Sequence, residues 1–485
     1  WVLGLDTLPG KLYSVTKDGF AVIVFAAAFV ALVNRVFFRP KRLTQSFEAV
    51  LILLIITTMM AAAVLYDAAE ISLAHLSAGT PLALHKSEPA GSLLAMGLAK
   101  LHLNAHTLHR LAQIGFWTHS VLVLLFLNLL PYGKHFHVLT AIPNVFFRDL
   151  RPRGRLVPIP DIENQESFGA SKITDFSWKA LLDTYTCTEC GRCTDHCPAN
   201  RTGKKLSPKH LTLGLRDNLY HRAGELIGPI ESGPPAGEPE DAAAQKPKIA
   251  SETLVPDVID PDVLWACTTC RACEQECPVF ISYVDKIVEL RRNLVLDRGE
   301  VPSALATALR GVETNSNPWN ISAMDRGKWA EGLDVPTMAE TEGKGVDYLL
   351  WVGCAASFDD RAKKVARATV ELLRKAGVSF AILGEEEQCT GDIARRAGNE
   401  YLFQTLAQAN VETLNNYRVR RIITVCPHCF NTLANEYPDF GGYYRVLNHG
   451  GRRGKGAAFF VFRSSFRTVL APGSSPKTKN AERRT

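Results

Sequence analysis

Cys187-Thr-Glu-Cys190-Gly-Arg-Cys193-Thr-Asp-His-Cys197-Pro198 recurs eighty residues later as Cys267-Thr-Thr-Cys270-Arg-Ala-Cys273-Glu-Gln-Glu-Cys277-Pro278. Both stretches read C-x2-C-x2-C-x3-C-P. In that spacing three thiolates wrap one iron–sulfur cube, while the fourth, ahead of a chain-breaking proline, ligates the other cluster. The pair therefore predicts two [4Fe–4S] clusters. The first takes Cys187, Cys190, Cys193 and Cys277, and the second takes Cys267, Cys270, Cys273 and Cys197. Zinc is the competing reading, but a structural zinc needs four ligands, usually two CxxC pairs, and would leave half of these eight cysteines unexplained. Disulfides fit worse, because neighbours two residues apart make poor bridges.

Working outward from these runs, the 485 residues allow about three domains at ~150 residues each. All twelve cysteines follow residue 186, whereas the long apolar stretches precede residue 131. Phe20 to Phe38, Phe47 to Tyr66 and His106 to Leu130 each approach the ~20 residues that a helix needs to cross a hydrocarbon core. A buried core helix would explain one such run. Three, with Trp and Arg near their ends, predict a multi-pass transmembrane helical domain over residues 1–150. Arg35, Arg39, Lys41 and Arg42 separate the first two runs, and Lys134, Arg148, Arg151, Arg153 and Arg155 follow the third, whereas residues 67–104 hold Asp67, Glu70 and Glu88. The positive-inside rule then places the cysteine-rich half in the cytoplasm, whose reducing conditions suit clusters better than disulfides. The net charge of +6 is concentrated in residues 443–485, where ten Lys and Arg face the single acid Glu482. This pattern carries no nucleic-acid footprint.

Histidine is concentrated around the third span, at positions 102, 106, 109, 119, 135 and 137. Ligating groups at membrane depth are costly and so are functional candidates. If the helix continues past Pro131, His119 and His137 lie on one face about 27 Å apart along the axis. That spacing suits one or two b-type haems, one near each membrane surface. His109 is the reserve candidate, and His102 and His106 read as interfacial. The first two apolar runs contain no histidine to complete a bis-histidine site. We therefore expect the partner imidazoles to come from one or two amino-terminal transmembrane helices absent from a sequence that opens at Trp1, or from a neighbouring subunit.

Residues 151–175, with Arg-Pro-Arg-Gly-Arg and Pro158-Ile-Pro160, read as a linker out of the membrane, and 176–300 as an α-helical dicluster ferredoxin domain with a mobile loop from Gly233 to Ala244. Residues 301–345 read as a second linker. From 346 to 442, strands alternate with helices, the signature of a parallel α/β domain. Strands are expected at 347–352, 379–383 and 421–425, and one long helix at 393–416. Cys354, Cys389, Cys426 and Cys429 all fall just after strands, at the edge where ligands bind in open α/β sheets. They make a third metal site, a third iron–sulfur cluster or a zinc. The architecture is thus multidomain, in the order all-α transmembrane, α-helical ferredoxin, and α/β cysteine-rich. Residues 443–485 read as a disordered basic tail, and the composition break at Gly442 suggests a truncated or frame-shifted terminus.

Cys354, Cys389-Thr-Gly and Cys426-Pro-His-Cys429, following the ferredoxin pair, resemble the cysteine-rich CCG domain of heterodisulfide reductases and of the iron–sulfur subunits of glycolate, lactate and glycerol-3-phosphate oxidation. The stretch from Cys389 to Gln404 is similar to the branch that fuses this domain to a membrane domain like the gamma subunit of respiratory nitrate reductase. The resemblance implies a protein of a prokaryotic cytoplasmic membrane that passes electrons from electron-transfer flavoprotein, or another flavoprotein donor, through clusters and haem to menaquinone, in a complex that can include other subunits. Two departures matter. Thr390 stands where the family has a second adjacent cysteine, which argues against a five-cysteine non-cubane cluster, and the cysteine-rich repeat occurs once. A heterodisulfide reductase-like thiol–disulfide enzyme and a structural or docking subunit are the alternatives. Complete ligation of the ferredoxin pair favours electron transfer over docking, and the absence of a G-x-G-x-x-G fingerprint points to a separate flavoprotein.

Overall fold

The computed structural model describes residues 7–40, 42–79, 84, 86–227 and 253–448. The loop expected at 233–244 and the tail beyond 448 lie outside them. The chain divides into two compact units, one comprising Trp1–Arg148, Ser177–Ser232 and Ala272–Ser282, the other Asp149–Phe176, Gly233–Arg271 and Tyr283–Thr485.

In the first unit, α1 (Leu8–Val33), α2 (Phe47–Ala78) and α4 (Ala105–Leu129) are each started by a side-chain cap, from Thr7, Ser46 and Asn104 respectively. The shorter α3 (Pro89–Ala99) begins where the Asp18 carboxylate accepts the Ala90 amide at 2.8 Å. Segments Leu8–Phe38, Phe47–Ala78 and Ala105–Tyr132 are long and apolar enough to cross a membrane. The first two are longer than the sequence suggests. α2 and α4 touch at Gly115, where a Cβ would lie 2.9 Å from the Ala62 carbonyl and the Tyr66 amide, so only glycine permits this approach.

The third helix does not continue past Pro131. After α4 come two short turns, Leu130–Tyr132 and Lys134–Phe136, and then a separate helix α5 (His137–Phe146). A proline there has no N–H to donate and its ring disfavours the preceding helical turn. His119 and His137 therefore belong to different helices, and the expected shared face is not formed.

The ferredoxin part of this unit is helical, as expected, with α6 (Trp178–Thr186) and α7 (Pro208–His221). It rests on the connections between the long apolar helices. Lys209 Nζ donates to the Arg42 carbonyl in the α1–α2 loop at 3.0 Å, and Thr186 Oγ1 donates to the Thr140 carbonyl of α5 at 3.4 Å.

The second unit contains α8 (Tyr283–Arg292), α9 (Ser303–Asn315) and a parallel sheet of β1 (Tyr348–Trp351), β2 (Phe380–Ala381), β3 (Arg421–Thr424) and β4 (Arg445–Asn448), in the order β2-β1-β3-β4. Helix α10 (Asp360–Lys375) follows β1, and α11 (Asp392–Ala397) and α12 (Glu400–Asn416) follow β2. Because successive side chains of a strand point to opposite faces, Leu349 and Trp351 pack with Phe403, Ala407 and Val411 of α12, while Tyr348 and Leu350 pack with Ala366, Val370 and Leu373 of α10. That two-sided burial explains why β1 is a continuous apolar run.

Four expectations change here. The single helix expected at 393–416 is broken at Gly398 (φ +94°), where a Cβ would lie 2.6 Å from the Arg292 amide nitrogen. The 301–345 segment is not a linker, because it supplies α9 and the buried Arg326 and Trp329. The 151–175 segment is not a free linker either. Leu156, Ala170 and Ile173 are buried, and the Leu156, Val157 and Ile159 carbonyls accept from Arg395, Arg292 and Gln404. Finally, residues 445–448, expected in the disordered tail, form β4 and bury Leu447.

Candidate iron–sulfur sites

Strand β1 delivers the chain to Gly353 (φ +80°), and Cys354 opens the short helix Cys354–Phe358. The positive φ favours glycine at this turn, and a Cβ there would also sit tightly against Cys429 Sγ, at 3.1 Å. Glu387, in the connection that follows β2, accepts the Val352 and Gly353 amides at 2.8 and 2.7 Å and so fixes the approach to Cys354. Two residues later Cys389 is held by its own amide, which donates to the Ser316 carbonyl at 3.1 Å, while the Asn410 amide group donates to the Cys389 carbonyl at 3.0 Å. Cys426 follows β3, with Pro427 at the first position of the turn that carries Cys429 inward.

The four sulfurs gather as two hydrogen-bonded couples, Cys354 with Cys389 and Cys426 with Cys429. Within each couple one thiol is lowered and the other raised. The hydrogen bond from Cys389 holds Cys354 below the ordinary thiol range despite burial, helped by the Arg326 guanidinium, and Cys389 is pushed up in turn. The hydrogen bond from Cys429 brings Cys426 to about 6, with the Cys429 amide and His428 contributing, and Cys429 is raised. Arg326 is buried, donating to the Ser316 carbonyl at 2.6 Å and lying 3.5 Å from Cys354 Sγ. The Thr390 hydroxyl lies 3.8 Å from Cys429 Sγ. Four soft sulfur donors, amide N–H groups and one cation suit a thiolate-ligated metal group carrying net negative charge. Among the described residues no three His, Cys, Asp or Glu side chains are arranged to hold a single metal ion.

The two ferredoxin loops share a backbone device. Glu189 (φ +54°) and Gly191 (φ +74°) in the first run match Thr269 (φ +54°) and Arg271 (φ +57°) in the second, two and four residues after the leading cysteine. Alternating handedness turns successive amides toward one centre, a concavity suited to anionic sulfur. The Thr269 amide donates to Cys267 Sγ at 3.3 Å, and the Ile281 amide to Cys277 Sγ at 3.4 Å. Burial pushes the Cys187 thiol up to about 12, and Cys193 and Cys277 lie near enough to add to it, so the structure brings these three together in the first unit. Cys190, Cys197 and Cys273 belong to that unit as well, and Cys267 and Cys270 to the second. There the buried Arg291 donates to the Leu264 and Cys267 carbonyls at 2.5 and 2.7 Å, and to the Arg396 carbonyl at 2.6 Å.

Residues 348–434 match the family model described as "Cysteine-rich domain" (CCG), and residues 186–281 match the "4Fe-4S dicluster domain". The chain is 40% identical over 452 residues to the EtfAB:quinone oxidoreductase of Syntrophomonas wolfei, covering 89% of this chain and 62% of that protein. It is 38% identical over 457 residues to the probable iron-sulfur-binding oxidoreductase FadF of Bacillus subtilis, covering 88% and 62%. One component of the dihydromethanophenazine:CoB–CoM heterodisulfide reductase of Methanosarcina barkeri is 30% identical over 268 residues, 53% of this chain and 58% of its own length. Over most of its length the chain is similar to these iron–sulfur oxidoreductases.

It spans 62% of the length of the first two relatives. No solved structure matches it. Around the cysteines, four further groups are visible only in three dimensions: Arg326, Glu387, Ser316 and Arg291. No local motif marks them. The histidines are dispersed. The His119 ring lies in mid-α4 with Nδ1 3.0 Å from the Met59 carbonyl of α2, which fixes Nδ1 as the donor and leaves the Nε2 lone pair available. His137, at the start of α5, lies tilted at 43° against the His135 ring with 5.6 Å between ring centroids, and His109 is exposed. His75 escapes a sequence reading, because α2 runs twelve residues beyond the expected Tyr66. Its Nδ1 is buried and has no hydrogen-bond partner among the described residues.

Proposed function

We propose that this chain is the membrane-bound electron-transfer subunit of an oxidoreductase, taking electrons from a soluble flavoprotein such as electron-transfer flavoprotein and delivering them to menaquinone. The observation that carries the reading is that the first cysteine run and the three apolar helices make one compact unit, joined by Lys209 to the Arg42 carbonyl and by Thr186 to the Thr140 carbonyl. A cluster site built onto the connections of membrane helices has its use in moving electrons to or from the bilayer. Cys187, Cys190, Cys193, Cys197, Cys267, Cys270, Cys273 and Cys277 would hold two [4Fe–4S] clusters, and Cys354, Cys389, Cys426 and Cys429 a third iron–sulfur group. Such groups, when bound, take up and release single electrons.

The chain's own contribution is to prepare the sites. Glu387 orients the strand end at Cys354, Arg326 places a fixed positive charge beside its sulfur, and paired left-handed residues aim amides at the ferredoxin cysteines. A b-type haem belongs to the same proposal, with Nε2 of His119 as the first candidate ligand and His137, His109 and His75 as further ones. The iron–sulfur half faces the cytoplasm in this reading.

The test uses membranes containing the protein, a reduced flavoprotein donor and a quinone analogue. Quinone reduction should collapse in Cys354→Ser and Cys426→Ser while the ferredoxin cluster spectra persist. Full activity in both variants would refute entry at the cysteine-rich domain. A pyridine haemochrome assay beside His119→Ala checks the haem separately.

A further inference from the structure

Helix α5 (His137–Phe146) is amphipathic in the wrong sense for a helix in water. Successive residues advance about 100° around a helix. On that wheel Val138, Leu139, Ile142, Val145 and Phe146 occupy one arc about 120° wide, and all are exposed. Thr140 and Asn144 occupy the opposite side and are buried. Ile142 and Phe146 are 77% and 79% exposed, whereas Asn144 is fully buried and its amide group donates to the Val279 carbonyl, two residues past Cys277, at 2.9 Å. The polar face is thus turned into the protein, and the apolar face is presented outward.

From this inversion we propose that α5 lies in the membrane–water interface with its Leu139, Ile142 and Phe146 face among the lipid acyl chains, and that its polar face anchors α6 and the Cys277 end of the second cysteine run to that surface. The proposal rests on the membrane reading given above. The occupant is lipid because the face continues an already lipid-facing surface: α5 follows the apolar segment Ala105–Tyr132 after one short turn, and Leu124 and Leu127 of that segment are exposed. Ten residues rise about 15 Å, too short to cross a hydrocarbon core but suited to lying in its boundary. At its end the exposed ring of Trp178 packs edge-on against Phe147 at 5.1 Å between centroids, and Arg148 sits 4.8 Å from the Phe280 ring, an aromatic and basic border of the kind found at headgroup depth. Two contacts made by the buried face, Asn144 to the Val279 carbonyl and Thr186 to the Thr140 carbonyl, fix the Cys277 segment and α6 relative to this helix.

The experiment takes the full chain with its clusters in phosphatidylcholine vesicles doped with a phospholipid carrying a photoreactive acyl chain, followed by illumination, digestion and mass spectrometry. Label on Leu139, Ile142 and Phe146, absent from Thr140 and Asn144, together with label on the exposed face of α4, is the expected result. Replacing Ile142 and Phe146 by Asp should abolish label on the α5 peptide and leave α4 labelled. Label on α4 with none on wild-type α5 would overturn this proposal alone, because the face would then be covered by something other than lipid. Label on neither would overturn the membrane reading beneath it.

Discussion

The buried pair Arg326–Glu387 offers a direct test of how the third site is held. Their side chains are 1% and 2% exposed, 3.2 Å apart, and Glu387 also receives the Val352 and Gly353 amides. Arg326→Met would remove the ion pair and the hydrogen bond to the Ser316 carbonyl, leaving a buried carboxylate with two amide donors and no cation. Breaking a buried pair in this way costs about 3–5 kcal/mol. Glu387→Gln breaks the same pair from the other side, keeping one acceptor oxygen for two amides and leaving Arg326 without its counter-ion, so it should also cost about 3–5 kcal/mol. With both changes no uncompensated charge remains, and the double variant should be less damaged than the two singles combined by about 1–3 kcal/mol. Amide hydrogen exchange at Val352 and Gly353 reads this locally, without requiring the whole chain to unfold in one step. At 1.4 kcal/mol per tenfold, Arg326→Met should speed exchange there by roughly a hundredfold or more. A single-variant effect under about threefold, or strict additivity of the two changes, would show that the guanidinium does not neutralise Glu387 and that the strand end is held by the amides alone.

Two further outcomes concern other parts of the second unit. Gly398→Ala places a Cβ 2.6 Å from the Arg292 amide nitrogen at φ +94°, so the 291–292 and 398 segments must separate; thermal denaturation should show a loss of more than the ~1–3 kcal/mol that positive φ alone costs. After iron removal by chelation under reducing conditions, Cys426 should be alkylated first. Its reactivity should rise as pH increases through about 6, where the thiol becomes thiolate, and then level off; a mass-mapped rate that rises only near the ordinary thiol value would contradict the lowering by Cys429.

The parts legible in the sequence are those whose cause is local. The cysteine spacing, the length of three apolar runs and the continuous apolar strand Tyr348–Trp351 each carry their signal within a few turns of chain. What is not legible depends on distant partners. The 301–345 segment looks like a linker because it is rich in Asn and Gly, yet Arg326 is buried there by Glu387, sixty-one residues on. The Arg- and Pro-rich 151–175 segment looks solvated until its carbonyls are seen accepting from Arg292, Arg395 and Gln404. Strand β4 offers only Val446 and Leu447 between polar residues, and its identity comes from pairing with β3. Gly398 resembles a tolerated helix glycine, but the close passage of Arg292 makes it a break.

The break at Pro131 shows how one overturned expectation and one new feature share a cause. A continuous helix would have carried the 137–146 segment onward along the axis of α4, with His137 five turns beyond His119 on the same face. Proline cannot supply the amide that the next turn needs, and Gly133 (φ −130°, ψ −171°) leaves the helical region, so the chain makes two short turns before α5 starts. Release from the α4 axis is what lets Thr140 and Asn144 face α6 and the Val279 carbonyl while Ile142 and Phe146 face outward. Replacing Pro131 and Gly133 by alanine would favour continuation of the helix, since alanine restores the missing amide donor and the helical propensity. The Asn144 hydrogen bond to Val279 could not then be kept, and the Cys277 segment would lose its tie to α5 even though every cysteine is still present.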